Sequence, residues 1–134
     1  MRTLAILLAA STISSCMTAP QPTQRSERAE ARLQQELAGL SAGQPVSCIA
    51  NYRADQMIVI DDSTLLFRDG TSRVWRNDTQ GSCNLLGAGY TLVLRSSGSA
   101  LCRGEIGQVT DLRSGTTVGS CVLGDFVPYT RAAR

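Results

Sequence analysis

The residues best suited to chemistry in this chain of 134 residues are five cysteines and eleven acids. The sequence contains no histidine, and all thirteen of its basic residues are arginines. Histidine is the commonest general base and a frequent metal ligand, and lysine is needed for a serine–lysine dyad or a Schiff base. Triad-type nucleophilic catalysis is therefore excluded, and pairs of carboxylates remain as the candidates for acid–base chemistry.

Six acids are the candidates for such a pair: Asp61, Asp62, Asp69, Glu105, Asp111 and Asp125. Several of them stand at the end of an apolar run or beside glycine and serine, where acids commonly form turns. We therefore predict structural roles for them, and neither a catalytic residue nor a metal site nor a cofactor. The formal charge of only +2 also predicts no nucleic-acid partner, since such proteins usually carry a strongly basic stripe.

Two further groups could bind a ligand. Arginines 73, 76 and 103 could meet an anionic glycan or a carboxylate if they clustered. Trp75 and Tyr90 could form an exposed aromatic platform. We expect scattered, solvated charge and core packing instead, because the chain has only one tryptophan and two phenylalanines to fill a core.

The first cysteine, Cys16, follows a short apolar leader. Met1-Arg2 precedes the mostly apolar residues 3–10, and Ile13-Ser14-Ser15 leads directly into Cys16. This pattern resembles the lipobox of bacterial lipoprotein precursors, and the apolar run is too short to span a membrane. The resemblance implies that residues 1–15 are a signal peptide removed before Cys16. It also implies that Cys16 carries palmitate-type acyl chains that anchor the protein to a membrane. An ordinary secretory leader, cut after Ala19 for example, is the alternative.

A tether and a helix are expected after the anchor. Residues 16–25 are polar and contain two prolines, which is typical of a flexible tether. In residues 26–43 a narrow apolar stripe recurs at helical spacing, and Thr23 or Ser26 could cap its start. The stripe consists of Ala29, Leu33, Leu37 and Leu40. We predict an amphipathic helix that lies against its own domain or frays, since it is too short for a stable coiled coil. A partner-binding helix is the alternative.

Residues 45–130 show strand patterns separated by turn signals. The clearest hairpin joins residues 65–68 to residues 72–76 through Asp69-Gly70, because glycine supplies the positive φ of a tight turn. Turn signals recur roughly every ten to twelve residues, which is typical of small all-β domains. We therefore predict an all-β fold of six or seven strands. It would be a small antiparallel sandwich or barrel with two disulfides, preceded by the short helix and the tether.

The two disulfides follow from the four remaining cysteines: Cys48, Cys83, Cys102 and Cys121. A small exported domain usually supplements its core with crosslinks, and no C-x-x-C pair indicates a redox or zinc site. Four cysteines allow three pairings. We favour Cys83–Cys102, which would join segments around the turn at residues 96–99. Cys48–Cys121 would then tie the start of the domain to its last strand.

The residues around these cysteines are similar to those of a group of small exported bacterial proteins of unknown function. The similar segments are Cys48-Ile49, Trp75-Arg76-Asn77, Cys102-Arg103-Gly104-Glu105 and Cys121-Val122-Leu123-Gly124-Asp125-Phe126. The resemblance implies a shared fold but no activity. We predict a periplasmic lipoprotein with a non-catalytic binding or structural role in the cell envelope, whose partner is an envelope protein or a glycan. Met17 after the lipid site favours the outer membrane.

A different class of function is the alternative. Small lipid-anchored β proteins that inhibit lysozyme-like enzymes have this size, leader and disulfide content. Their Ser-Gly-x-x-Tyr loop is absent, because Leu101 stands where the tyrosine would follow Ser97-Gly98. A lysozyme inhibition assay distinguishes the two hypotheses.

Overall fold

The computed structural model describes residues 25–50, 56–96 and 98–132. The predicted signal peptide, the lipidation site Cys16 and all of the tether except Arg25 lie outside these ranges. The described residues form one α-helix, α1 (Glu27–Glu36), and ten short strands. The strands are β1 (Ser41–Ala42), β2 (Cys48–Ala50), β3 (Gln56–Val59), β4 (Thr64–Asp69), β5 (Arg73–Asp78), β6 (Thr91–Leu94), β7 (Ala100–Cys102), β8 (Ile106–Asp111), β9 (Thr116–Val122) and β10 (Phe126–Thr130).

The strands make three antiparallel sheets. The largest has the order β1-β10-β5-β4-β3, the second the order β6-β8-β9, and β2 pairs only with β7. Every pairing is antiparallel. The prediction of a small antiparallel all-β fold with a short helix and two disulfides is confirmed, but the described residues form ten strands and not six or seven.

The five-stranded sheet buries both of its faces, which explains the continuous apolar run in β4. Leu65 and Phe67 face the main core, whereas Leu66 points to the opposite side, as alternation along a strand requires. The main core consists of Ile49, Leu65, Phe67, Trp75, Cys83, Leu86, Leu92, Leu101, Val109, Cys121, Leu123 and Phe126. Trp75 belongs to this core and Tyr90 packs against it, so neither forms the exposed platform.

Helix α1 covers the other face of the five-stranded sheet. Ser26 caps the helix by accepting a hydrogen bond from the Ala29 N–H at 3.2 Å, as one of the two predicted caps. Ala29 and Leu33 are buried in a second cluster with Leu66 and other residues of the sheet. The helix therefore lies against its own domain. In the described residues no helix has the length and apolar character needed to cross a membrane.

The predicted helix over residues 26–43 is too long. The observed helix ends at Glu36. Gly39 then takes a left-handed φ of +73°, which turns the chain away from the helix axis. Ser41 and Ala42 then pair with β10 as β1, and the Gly43 N–H donates to the Pro128 carbonyl at 2.7 Å. Pairing with a neighbouring strand thus replaces the last turns of the predicted helix.

The predicted disulfide pairing is wrong, because the bonds join Cys48 to Cys102 and Cys83 to Cys121. The prediction assumed that the turn at residues 96–99 makes a hairpin, but β6 pairs with β8 and β7 pairs with β2. That pairing sets Cys48 directly opposite Cys102. An isolated bridge between Gln80 and Val122 brings the loop before Cys83 to the end of β9, where Cys121 lies.

Candidate functional site

A groove of about 820 Å³ lies between the start of α1 and two loops, residues 60–63 and 79–88. We call it the helix groove. Its helix wall carries Arg25, Arg28 and Arg32, and the opposite wall carries Asp61, Asp62 and Leu85. Charged groups and a few apolar side chains therefore meet in one concave surface.

Arg25, which lines the helix groove, connects the start of the helix to the sheet. Its guanidinium donates to Asp61 Oδ2 at 2.6 Å, to Glu30 Oε2 at 3.1 Å and also to the Thr64 hydroxyl. Thr64 in turn donates to Asp78 Oδ1 at 2.9 Å. Arg76 then forms an ion pair with Asp78 at 2.9 Å, which continues the polar network along the sheet.

The charges of this network are held in place by its hydrogen bonds. Burial by itself would raise the pKa of Asp61, but hydrogen bonds from Arg25 and from the Ser63 N–H and hydroxyl outweigh it and lower that pKa. Hydrogen bonds from Gln34 and then Arg25 lower the pKa of Glu30 in the same way. Both acids are therefore ionised near neutral pH and act as hydrogen-bond acceptors in this network.

The Asp61→Asn substitution tests this role. At pH 7 it is expected to lower the free energy of unfolding by about 1–2 kcal/mol, since a charge-assisted hydrogen bond is lost. The folded pKa of Asp61 is depressed, so its contribution is present above the unfolded pKa of about 4 and is lost as the pH falls through the folded pKa. The difference between wild type and variant should therefore shrink towards about pH 3. Urea denaturation at both pH values measures it.

Asp125→Asn is the matched control, because Asp125 pairs with Arg103 at 3.3 Å on the exposed surface. Exposed ion pairs contribute roughly 0–1 kcal/mol, so this variant should stay close to wild type. A loss in Asp61→Asn that is equal at the two pH values would contradict an ionic role.

The second wall of the helix groove is a loop held in an unfavourable backbone conformation. Leu85 has a φ of +71°, and its side chain is 43% exposed. A left-handed residue other than glycine costs about 1–2 kcal/mol. Cys83 is fixed by its disulfide, and the Gly87 N–H donates to Asp62 Oδ1 at 2.6 Å, so both sides of Leu85 are held. The fold thus presents an apolar side chain at the rim of the groove.

Across the groove, Arg28 presents a cation. Its side chain is exposed and makes no hydrogen bond or ion pair with another residue of the described ranges. Arg32, one turn further, donates to the Val59 carbonyl at 2.9 Å. A partner that binds in the groove can therefore contact both the guanidinium of Arg28 and the apolar side chain of Leu85.

The remaining predicted acids are dispersed over the surface, each with its own partner. Asp69 pairs with Arg73 at 3.5 Å, and Asp111 accepts the Arg113 N–H at 2.8 Å in a turn. Glu105 accepts from the Ser96 hydroxyl at 3.3 Å through Oε1. Of the six candidates, only Asp61 and Asp62 line the helix groove. Within residues 25–50, 56–96 and 98–132, no three potential ligands gather in a way that could hold a metal ion.

The three arginines considered for an anion site do not act together. Arg73 and Arg103 pair with Asp69 and Asp125, and Arg76 pairs with Asp78. The Arg73 guanidinium also lies over the Trp75 ring, 5.4 Å from its centre. Each arginine thus neutralises a neighbouring acid, in agreement with the expectation of scattered charge.

Sequence reasoning missed Arg25, Thr64 and Asn77. Asn77 is fully buried, and its amide donates to the Gly124 carbonyl at 2.8 Å and accepts the Gly124 N–H at 3.0 Å. The available signal was a polar residue two positions after Trp75, on the strand face that Trp75 buries. Such a residue must find hydrogen-bond partners inside the fold.

Comparison with known proteins finds no match among the curated proteins and none among the solved structures. One family does match, and it covers residues 1–128, nearly the whole chain and all of its cysteines. The expectation of an uncharacterised group of small proteins agrees with this match. The chain belongs to a family of unknown function, DUF6491.

Proposed function

We propose that this chain is a lipoprotein of the bacterial cell envelope with a non-catalytic binding or structural role. The observation that carries the proposal is the pair of disulfides in a domain of modest size. Disulfides persist in oxidising compartments such as the periplasm and are rare in the cytosol. The leader with Ser14-Ser15-Cys16 supplies the matching route of export and an anchor in the membrane, and we favour the outer one.

The arrangement of charged groups supports binding over catalysis. The acids of the helix groove are engaged in hydrogen bonds that hold α1 and the loops in place. Arg28 and Leu85 remain exposed at its rim. A cation beside an apolar side chain suits a partner that carries both an anionic and an apolar group. An envelope protein or an anionic glycan of the cell wall has this chemistry.

Metabolic labelling with a clickable palmitate analogue tests the anchor. The wild-type chain should be labelled, and Cys16→Ala should lose the label because the acceptor thiol is gone. Ser14→Ala is the control, since it keeps a small residue before the cysteine and should remain labelled. Unchanged labelling of Cys16→Ala would refute lipidation at this residue.

The binding role is tested in the same cells with a photo-crosslinking amino acid. It is placed at Leu85 in the helix groove, or at Leu112, which is 71% exposed and lies outside that groove. We expect a crosslinked product from the Leu85 position only. Products from both positions, or from neither, would contradict binding in the groove.

A further inference from the structure

The two disulfides differ sharply in their access to solvent. Cys83 and Cys121 are 0% and 4% exposed and belong to the main core. Cys48 is exposed and Cys102 is only partly buried. A thiolate must reach a sulfur atom to attack it, so the rate of exchange depends on access. The two bonds should therefore respond very differently to the same reductant.

The Cys48–Cys102 bond lies on the outer face of the β2–β7 ribbon. The next pair along the ribbon is Ile49 opposite Leu101. Both side chains point inward, and the two residues are 4% and 2% exposed. The next residues on the outer face are the small side chains of Ala50 and Ala100, since alternate residues of a strand share a face. No large side chain of either strand covers the disulfide.

Other contacts hold β2 in place without this bond. Val46 exchanges two backbone hydrogen bonds with Phe126, both 2.9 Å, and the Arg103 N–H donates to the Ser47 carbonyl at 2.7 Å. Ile49 also remains packed in the main core. Opening of the Cys48–Cys102 bond therefore does not require the domain to unfold.

We propose that Cys48–Cys102 is a site of thiol–disulfide exchange with a dithiol protein of the cell envelope, whereas Cys83–Cys121 is purely structural. A thiolate of the partner attacks the more exposed sulfur, that of Cys48. The Cys48–Cys102 bond breaks, a mixed disulfide forms on Cys48, and Cys102 leaves as a thiolate that takes up a proton. The second thiol of the partner then attacks its own half of the mixed disulfide and releases Cys48. The partner is oxidised by two electrons, and this chain gains two thiols.

The test uses the purified wild-type chain under native conditions and needs no variant. Dithiothreitol is added for increasing times, free thiols are blocked with N-ethylmaleimide, and the modified peptides are identified by mass spectrometry. We expect Cys48 and Cys102 to be modified at least about tenfold faster than Cys83 and Cys121. With glutathione as reductant, the mixed disulfide should form on Cys48.

The same reaction in denaturant is the control, because unfolding exposes all four sulfurs and should remove the difference. Equal rates for the two bonds in the native protein, or faster modification of Cys83 and Cys121, would overturn the proposal. A glutathione adduct found mainly on Cys102 would overturn the proposed direction of attack. The choice of an envelope partner rests on the proposed function, but none of these results bears on lipidation at Cys16, so failure of the exchange and failure of the anchor are distinguishable.

Discussion

Replacing Gly124 by alanine is expected to prevent stable folding of the domain. A β-carbon at this position would lie 2.1 Å from the carbonyl oxygen of Asp78, far inside van der Waals contact. Gly124 is not among the glycines with positive φ, so its backbone conformation alone would tolerate alanine. The requirement is for space, since the turn between β9 and β10 packs directly on the end of β5.

Neither partner in this contact can move easily. The Gly124 N–H and carbonyl are both hydrogen-bonded to the Asn77 side chain, and Leu123 and Phe126 on either side are fully buried. Relief of the clash would break these bonds and shift core side chains. We expect a loss of more than about 4 kcal/mol, which places the substitution among the most severe single changes.

Gly98→Ala is the control for this prediction. Gly98 is exposed, has no positive φ, and a β-carbon there would lie 4.0 Å from its nearest neighbour, the Ala100 nitrogen. This change should alter the free energy of unfolding by no more than about 0.5 kcal/mol. Urea denaturation with both disulfides intact measures the two variants. A Gly124→Ala midpoint equal to that of Gly98→Ala would show that the turn is free to move.

The local parts of the fold could be predicted from the sequence. The hairpin formed by β4 and β5 was expected because Asp69-Gly70 supplies the positive φ of the turn, and Gly70 indeed has a φ of +65°. The pair formed by β8 and β9 is equally local, and Gly115 has a φ of +70° in the turn between them. In both cases adjacent strands pair, so a local signal was sufficient.

The strands that were missed depend on distant partners. β10 contains Pro128, which removes a backbone donor and weakens a strand pattern. It nevertheless lies between β1 and β5, where Pro128 stands opposite Trp75. β1 has only two residues, and its partner β10 lies far away in the sequence, since Ser41 pairs with Thr130. Neither strand has a periodicity of its own that could be detected.

The helix groove was beyond sequence reasoning for the same physical reason. Arg25 meets Asp61 and Thr64, which are 36 and 39 positions away, and the Leu85 loop closes the groove from a third segment. The turn-forming acids were recognised one by one because turns are local. Their combination with an arginine before the helix depends on the docking of α1, which only the tertiary structure shows.

Replacing Asn77 by aspartate is expected to lower the free energy of unfolding by about 3–5 kcal/mol at pH 7, because it places an unpaired charge in the interior. The substitution keeps the shape of the side chain but exchanges the amide donor for an oxygen. In the wild type the Asn77 amide nitrogen lies 2.8 Å from the Gly124 carbonyl and 3.4 Å from the Asp125 carbonyl. The new oxygen would face both of these carbonyls. Two acceptors would then oppose a carboxylate that is fully buried.

The pH dependence of this variant separates the charge from a loss of packing. Burial and the facing carbonyls raise the pKa of the new carboxyl group in the folded state, so the folded protein binds more protons than the unfolded chain. The loss in the free energy of unfolding should therefore be largest above the folded pKa. It should shrink as the pH falls towards the pKa of the unfolded chain, about 4. Asn84→Asp makes the same chemical change at an exposed position and should show neither effect. Because a protonated carboxyl can again donate to the Gly124 carbonyl, a loss of stability in Asn77→Asp that does not diminish in acid would mean that altered packing, and not the buried charge, causes it.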